Sequence, residues 1–219
     1  MASATVALEP DALAPGTNVL VSGPVLTAKQ RIVLRLLAGN DAADRGTVVA
    51  TTRASADSVA RSFRTLADDV PDDRFAVVDC TGLPAESPRS RRTENRRYVS
   101  DPGDLTGVGI GLTEFMRAFY HRGDDARVGV HSLSTMLMYT EFRRLFRFLH
   151  VVTARIDSSG FGGVFAVDDS ALSEREANLL RQLFDSVVET REGEVGTELR
   201  VRGADAGTLG PASWAPVSG

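Results

Sequence analysis

The sequence predicts an α/β protein: a mostly parallel twisted sheet with helices on both faces, ending in C-terminal antiparallel strands. Three observations lead there. Short, continuous apolar runs recur along the chain, as expected of strands buried on both faces. Stretches of helical periodicity alternate with them, which is the pattern of βα units. The last two strand-like runs, Ser186 to Thr190 and Glu198 to Arg202, follow one another with no helix between, as an antiparallel pair does.

The elements follow in order. Asn18 to Ser22 is a buried strand, Gly23 to Ala28 a turn, and Ile32, Val33, Leu36 and Leu37 form the apolar face of a first helix. Gly46 to Thr52 is a second strand. Ser55 then caps a helix whose buried stripe is Val59, Phe63 and Leu66. Phe75 to Cys80 is a third strand, and the basic, polar stretch from Pro84 to Tyr98 is predicted to be a loop. The glycine-rich Gly103 to Gly111 reads as a loop turning into a helix over Leu112 to Tyr120. Ala126 to His131 is a fourth strand. One long helix is predicted over Tyr139 to Thr153, with Phe142, Leu145, Phe146 and Leu149 inward. Gly163 to Val167 is a fifth strand, after which Ser173 caps a helix running through Leu183. The expected division is an N-terminal extension at 1–15, a core domain at 16–202 and a Gly/Pro/Ala-rich tail at 203–219.

Composition narrows the function classes. With 219 residues and 42% hydrophobic content the chain has ample material for one packed core. A single cysteine, Cys80, excludes an internal disulfide and a multi-cysteine zinc site. No apolar run approaches the roughly 18 residues that span a bilayer. The N-terminus has neither a basic region nor an apolar core of the signal-peptide kind. A cytoplasmic protein without membrane insertion is expected. The net charge of −4 argues against a surface that coats nucleic acid.

The most informative residue is Lys29, the only lysine in the chain. It opens the first helix, directly after the first strand and its turn. Phosphate-binding loops place a lysine there, as a compact charge for β- and γ-phosphates beside backbone N–H groups. The candidate cofactor-binding residues are therefore Gly23, Pro24, Thr27, Ala28, Lys29 and Gln30. Gly23 and Lys29 keep the spacing of that loop. Ala28, however, stands where the second glycine lets the backbone approach phosphate. Gln30 stands where a hydroxyl binds Mg²⁺, and Thr27 comes too early in the loop to replace it.

These residues, with the order of elements, give the chain a resemblance to the RecA superfamily, specifically the KaiC-like ATPases of archaea, over roughly residues 16 to 219. The run Val128-Gly129-Val130-His131-Ser132-Leu133-Ser134 resembles that family's Walker B strand, in which an aspartate precedes Ser-Leu-Ser. Gly162 to Val167, Leu183 to Glu189 and Leu199 to Gly203 resemble the strands that follow. The resemblance implies a RecA/KaiC-like P-loop core of divergent, haloarchaeal type, with ATP or another nucleotide as cofactor. The departures are mutually consistent. His131 stands in place of the Mg²⁺-organising aspartate, Thr51-Thr52-Arg53 in place of a catalytic glutamate, and Gln30 in place of the hydroxyl. The case for Mg²⁺ dependence is weak, no catalytic or metal residue is assigned, and the resemblance implies a pseudo-ATPase working through protein contacts.

Two alternatives remain open at this stage. An active ATPase could use Asp168, Asp169 or Glu141 as substitutes. A DNA-associated module could use Arg89, Arg91, Arg92, Arg96 and Arg97, although only Tyr98 interleaves with them as a stacking aromatic. The partners expected are proteins, a second copy of the chain among the candidates; nucleic acid is disfavoured. Cys80, in an apolar strand, is read as a buried inert thiol, and His121, His131 and His150 have no metal-ligand spacing.

Overall fold

The computed structural model describes residues 8–67, 69–82, 94–194 and 196–217. In chain order the elements are β1 (Asn18–Gly23), α1 (Lys29–Ala38), β2 (Gly46–Thr51), α2 (Ala56–Arg64), β3 (Phe75–Asp79), β4 (Arg96–Tyr98), α3 (Leu105–Arg122), β5 (Ala126–His131), α4 (Leu133–Tyr139), α5 (Phe142–Ser158), β6 (Gly162–Asp168), α6 (Glu174–Arg181), β7 (Ser186–Gly193), β8 (Gly196–Gly203) and β9 (Ala215–Pro216). They form one sheet in the order β4-β3-β2-β5-β6-β1-β7-β8-β9. Pairing is parallel from β4 to β7 and antiparallel from β7 to β9. The fold class is the one the alternation of elements predicts.

Two apolar clusters lie on opposite faces of this sheet. One packs α1 and α2 through Ile32, Val33, Leu36, Leu37, Val59 and Phe63 against Val19, Val21, Val49 and Val77. The Phe63 ring stacks on Phe75 at 4.3 Å between centroids. The other packs α3, α4 and α5 through Leu112, Met116, Leu133, Leu145 and Leu149 against Leu20, Val48, Val128, Val130 and Phe165. Strands covered on both faces are buried throughout, as β1, β2 and β3 are, which is why they read as near-continuous apolar runs.

The structure differs from expectation at four places, each for a local reason. The glycine-rich segment belongs to α3, which begins at Leu105 rather than Leu112. Its glycines serve close packing: a Cβ on Gly111 would sit 3.0 Å from both methyls of Val78 and 2.8 Å from Cδ of Arg97. The helix predicted over Tyr139 to Thr153 begins at Phe142, because Thr140 and Glu141 are extended, and a separate helix α4 precedes it. Arg96 to Tyr98 form edge strand β4 rather than loop, while Arg89, Arg91 and Arg92 lie outside the described residues. The C-terminal segment contributes β9, and the Trp214 ring is covered by the guanidiniums of Arg191 and Arg200 at 4.3 and 4.4 Å.

The two ends of the sheet have different chemistry. At the N-terminal end of the parallel strands, Arg127 is almost wholly buried and donates to the Leu36 carbonyl at 2.5 Å. Burial and then Arg45 push its guanidinium down to about 10, against the pull of Asp41, Asp11 and Asp125. At the C-terminal end, where open α/β sheets bind ligands, lie Gly23, Thr51, Asp79, His131 and Asp168.

The helix α3 offers a stability test of the close-packing argument. Gly111→Leu is expected to lower unfolding free energy in urea by about 1–3 kcal/mol through overpacking against Val78. Gly109→Ala, whose Cβ would meet Phe148 at an ordinary 3.4 Å, is expected to be neutral or stabilising by up to about 1 kcal/mol. Equal effects at both positions would contradict the packing role of Gly111.

Candidate functional site

The site forms where β1 meets α1. Gly23 ends β1 because nothing larger fits: a Cβ there would lie 2.0 Å from Oγ1 of Thr190 on β7 and 2.4 Å from its carbonyl oxygen. The turn that follows is unusual for a phosphate loop. Leu26, almost fully exposed, adopts a φ of 70°, a left-handed conformation that normally calls for glycine. Thr27 anchors it. Its hydroxyl donates to the Pro24 carbonyl at 2.9 Å and meets the Thr190 hydroxyl at 2.9 Å. The Thr190 hydroxyl also bonds the Ser22 carbonyl at 3.1 Å, so β7 holds both ends of the turn.

Lys29 opens α1, and its side chain turns inward rather than to solvent, leaving the residue 4% exposed. The ammonium donates to the Gly23 carbonyl at 3.1 Å, to the Pro24 carbonyl and to the Thr27 hydroxyl at 3.0 Å. It also forms an ion pair of 2.9 Å with Asp168, at the end of β6. Sheet register explains the pair: β6 runs parallel beside β1, with Gly23 opposite Asp168. The Asp168 backbone N–H donates in turn to the Ser134 hydroxyl on α4 at 2.6 Å. Thus the single lysine is ringed by three neutral oxygens and a carboxylate of its own chain.

His131 ends β5, one strand beyond Asp168. Burial, then the neighbouring Arg53 and Lys29, push its imidazole down to about 4, against the opposing pull of Asp168. It is neutral near pH 7. The His131–Ser132 peptide is cis. Thr52, beside it, is committed to backbone: its hydroxyl accepts from the Ser132 N–H at 2.9 Å and donates to the Ser132 carbonyl at 3.1 Å. The nearest buried carboxylate on the other side, Asp79, accepts from the Ala56 N–H at 2.8 Å and the Thr81 hydroxyl at 2.7 Å, capping α2.

The structure therefore gathers Gly23, Pro24, Thr27 and Lys29 around one ammonium. Ala28 and Gln30 face elsewhere, lining a cleft of about 450 Å³ between α1 and α2 with Arg31, Leu34, Ser62, Thr65 and Leu66. Of the substitute carboxylates, Asp168 is engaged by Lys29 and Glu141 is exposed ahead of α5. Burial raises the Asp169 carboxyl against the pull of Arg181 and Lys29. Among the described residues no group of three or more His, Cys, Asp or Glu side chains could hold a metal ion. Cys80 is buried, and that burial, then Asp79, keeps its thiol protonated. Arg96 pairs with Asp57 and Arg97 with Glu114. Sequence reasoning did not foresee the roles of Thr190 and Asp168 at the loop; both come from strands whose adjacency to β1 depends on strand order.

A model of a family of unknown function, DUF7504, matches residues 16–190. The chain belongs to the DUF7504 family. No curated protein matches it. Among solved structures, this DUF7504 chain is similar to a KaiC-like protein from the hyperthermophilic archaeon Pyrococcus horikoshii. The TM-score is 0.59 at 14% identity, over 91% of this chain and 83% of the other. It is also similar to an uncharacterized Pyrococcus horikoshii protein crystallised in complex with an unknown peptide. There the TM-score is 0.61 at 14% identity, over 86% and 84% of the two chains. The likeness is one of fold: the mostly parallel sheet and its helices fit a RecA/KaiC-like arrangement. No described helix is long and apolar enough to cross a membrane.

Two expectations follow from the geometry. A double-mutant cycle on Lys29→Met and Asp168→Leu should give a coupling of about 1–3 kcal/mol, because each single change strands a partly desolvated charge. A coupling near zero would show the pair to be a surface contact only. His131 carries the second. Its folded pKa lies below its ordinary 6.5, so the unfolded chain binds the proton more readily. Its contribution is then complete above pH 6.5 and is lost as pH falls towards 4, by up to about 3 kcal/mol. His131→Gln should flatten that part of a urea-stability profile; an unchanged slope would place the imidazole in solvent.

Proposed function

We propose that this chain is a KaiC-like regulatory protein without efficient nucleotide hydrolysis. On this reading the loop Gly23, Pro24, Thr27, Ala28, Lys29 and Gln30 retains affinity for the phosphates of ATP or another nucleotide, and the protein acts through protein contacts. The observation that carries it is the Lys29–Asp168 ion pair. Phosphoryl transfer needs positioned positive charge, a metal and an oriented water. Here the lysine already has an anion, and the Walker B position is a neutral His131. The residue after β2 is a threonine bound to backbone.

Binding is a smaller demand than turnover. The first-turn N–H groups of α1 have no intrahelical acceptors, and an anion there meets the positive end of the helix. To engage phosphate, however, the ammonium must exchange Asp168 for the ligand. Nucleotide affinity is therefore reduced by the free energy of the internal pair, and ligand occupancy is coupled to the end of β6 and, through Ser134, to α4. That coupling is how a bound nucleotide would reach a partner-facing surface. The Pyrococcus horikoshii protein crystallised with an unknown peptide is consistent with a peptide-binding role for such a core.

Two measurements test the proposal. Phosphate release from ATP with Mg²⁺ is expected at background. Turnover abolished by Lys29→Ala would overturn the non-hydrolytic part. Titration with a fluorescent nucleotide is expected to saturate. Lys29→Ala should weaken binding about tenfold or more, and Asp168→Asn should strengthen it by freeing the ammonium. No binding by either the native chain or Asp168→Asn would remove the nucleotide from the proposal.

A further inference from the structure

On the face of the sheet opposite α1, helices α3 and α5 enclose a groove of about 790 Å³. Its floor is apolar, built from the buried side chains of Leu112, Met116 and Val152. Its walls expose Ile110 at 46% and Val151 at 56%, among the few large hydrophobic residues in this chain left so open. The rims are basic. Arg117 projects from α3, and Arg144, Arg147 and Arg155 from α5. On α5 these three, with Val151, are spaced by three, four and four residues, so they form one stripe along the helix. None of the four arginines forms an ion pair with another described residue. The two carboxylates nearby are engaged: Glu114 pairs with Arg97, and Asp104 accepts from the Gly107 N–H at 2.8 Å to cap α3. Arg155 reaches across to the Thr113 hydroxyl, tying the two helices together at one end.

We propose that this groove is the docking site for an acidic amphipathic helix of a partner protein. The inference rests on the reading that the chain acts through protein contacts, and does not depend on a nucleotide at Lys29. Charge complementarity selects the occupant. A stripe of arginines one turn apart matches carboxylates spaced three or four residues apart on a facing helix. The apolar floor and the open Ile110 and Val151 match that helix's opposite edge. A groove between two packed helices is the shape that receives a third. The groove is lined on α3 from Leu105 to Arg117, about 20 Å at 1.5 Å per residue, enough for between three and four turns of a partner. Nucleic acid suits the groove less well. Phosphates have no use for an apolar floor, and nothing aromatic lines the groove for bases beyond Phe148.

Fluorescence anisotropy tests this with an 18-residue synthetic helix carrying leucines on one edge and glutamates on the other. Saturable binding is expected, weakened at least about tenfold by Arg144→Glu/Arg147→Glu and similarly by Val151→Asp on the groove wall. Urea unfolding identical to that of the native chain confirms that these surface variants fold. The same helix with lysines for glutamates should not bind, and the titration is run without nucleotide, so its outcome is separate from that of the phosphate-loop measurements. Three results would overturn the proposal. One is no saturable binding by the native chain, or binding indifferent to the arginines. Another is tighter, arginine-dependent binding of a 20-base-pair DNA duplex at physiological salt, which would make the groove a nucleic-acid site. The third is arginine-dependent dimerisation in sedimentation, which would assign it to a second copy of the chain.

Discussion

The parallel pairing of β1 with β6 decides what Lys29 does. A phosphate-loop lysine has freedom only if nothing anionic stands at the end of the neighbouring strand. Here the register sets Gly23 opposite Asp168, and the carboxylate meets the ammonium at 2.9 Å. Both groups lie in a partly desolvated corner, where an unpaired charge is costly. Once the pair exists, the rest of the loop organises around it. The Gly23 and Pro24 carbonyls turn inward to the ammonium.

That arrangement also explains how a loop without its second glycine can close. Phosphate loops use glycine to let the backbone wrap an anion. In this chain the anion is internal, and the turn is held by side chains instead. Thr27 and Thr190 bridge it to β7, and Leu26 takes the left-handed conformation at the exposed tip. A non-glycine residue at positive φ persists only where surrounding contacts over-determine it, and the two threonines supply those contacts. The loop is therefore held by contacts within its own chain.

Much of this architecture was legible in the sequence because buried parallel strands are written as unbroken apolar runs, and α1, α2 and β5 follow such signals closely. What escaped was of two kinds. Helix α3 was read seven residues short because Gly107, Gly109 and Gly111 lower helix propensity. The close approach of Gly107 to Val99 and of Gly111 to Val78 exists only after the sheet is assembled. The site was legible as a list of residues in one segment, Gly23 to Gln30, but its electrostatics were not. Asp168 is far from Lys29 in sequence, and only the strand order brings it beside the lysine. The same limit hid the groove: Arg117 and Arg144 look like ordinary solvated charges until α3 and α5 are known to lie side by side.

On the proposed readings the two faces of the sheet carry separable tasks, and Ser134 lies between them. It belongs to α4, accepts from the Asp168 backbone, and α4 packs in the same cluster as the floor of the α3–α5 groove. If the ammonium leaves Asp168 for a phosphate, the freed carboxylate must find water or another donor, and the end of β6 is where that readjustment falls. Any displacement there is felt first by α4 and next by the apolar contacts it shares with α5. A densely packed interior transmits such a shift instead of absorbing it, because its side chains have no free volume to take it up. On the proposed reading hydrolysis adds nothing to this device, because exchange of one counter-anion for another at Lys29 releases the same carboxylate with or without turnover.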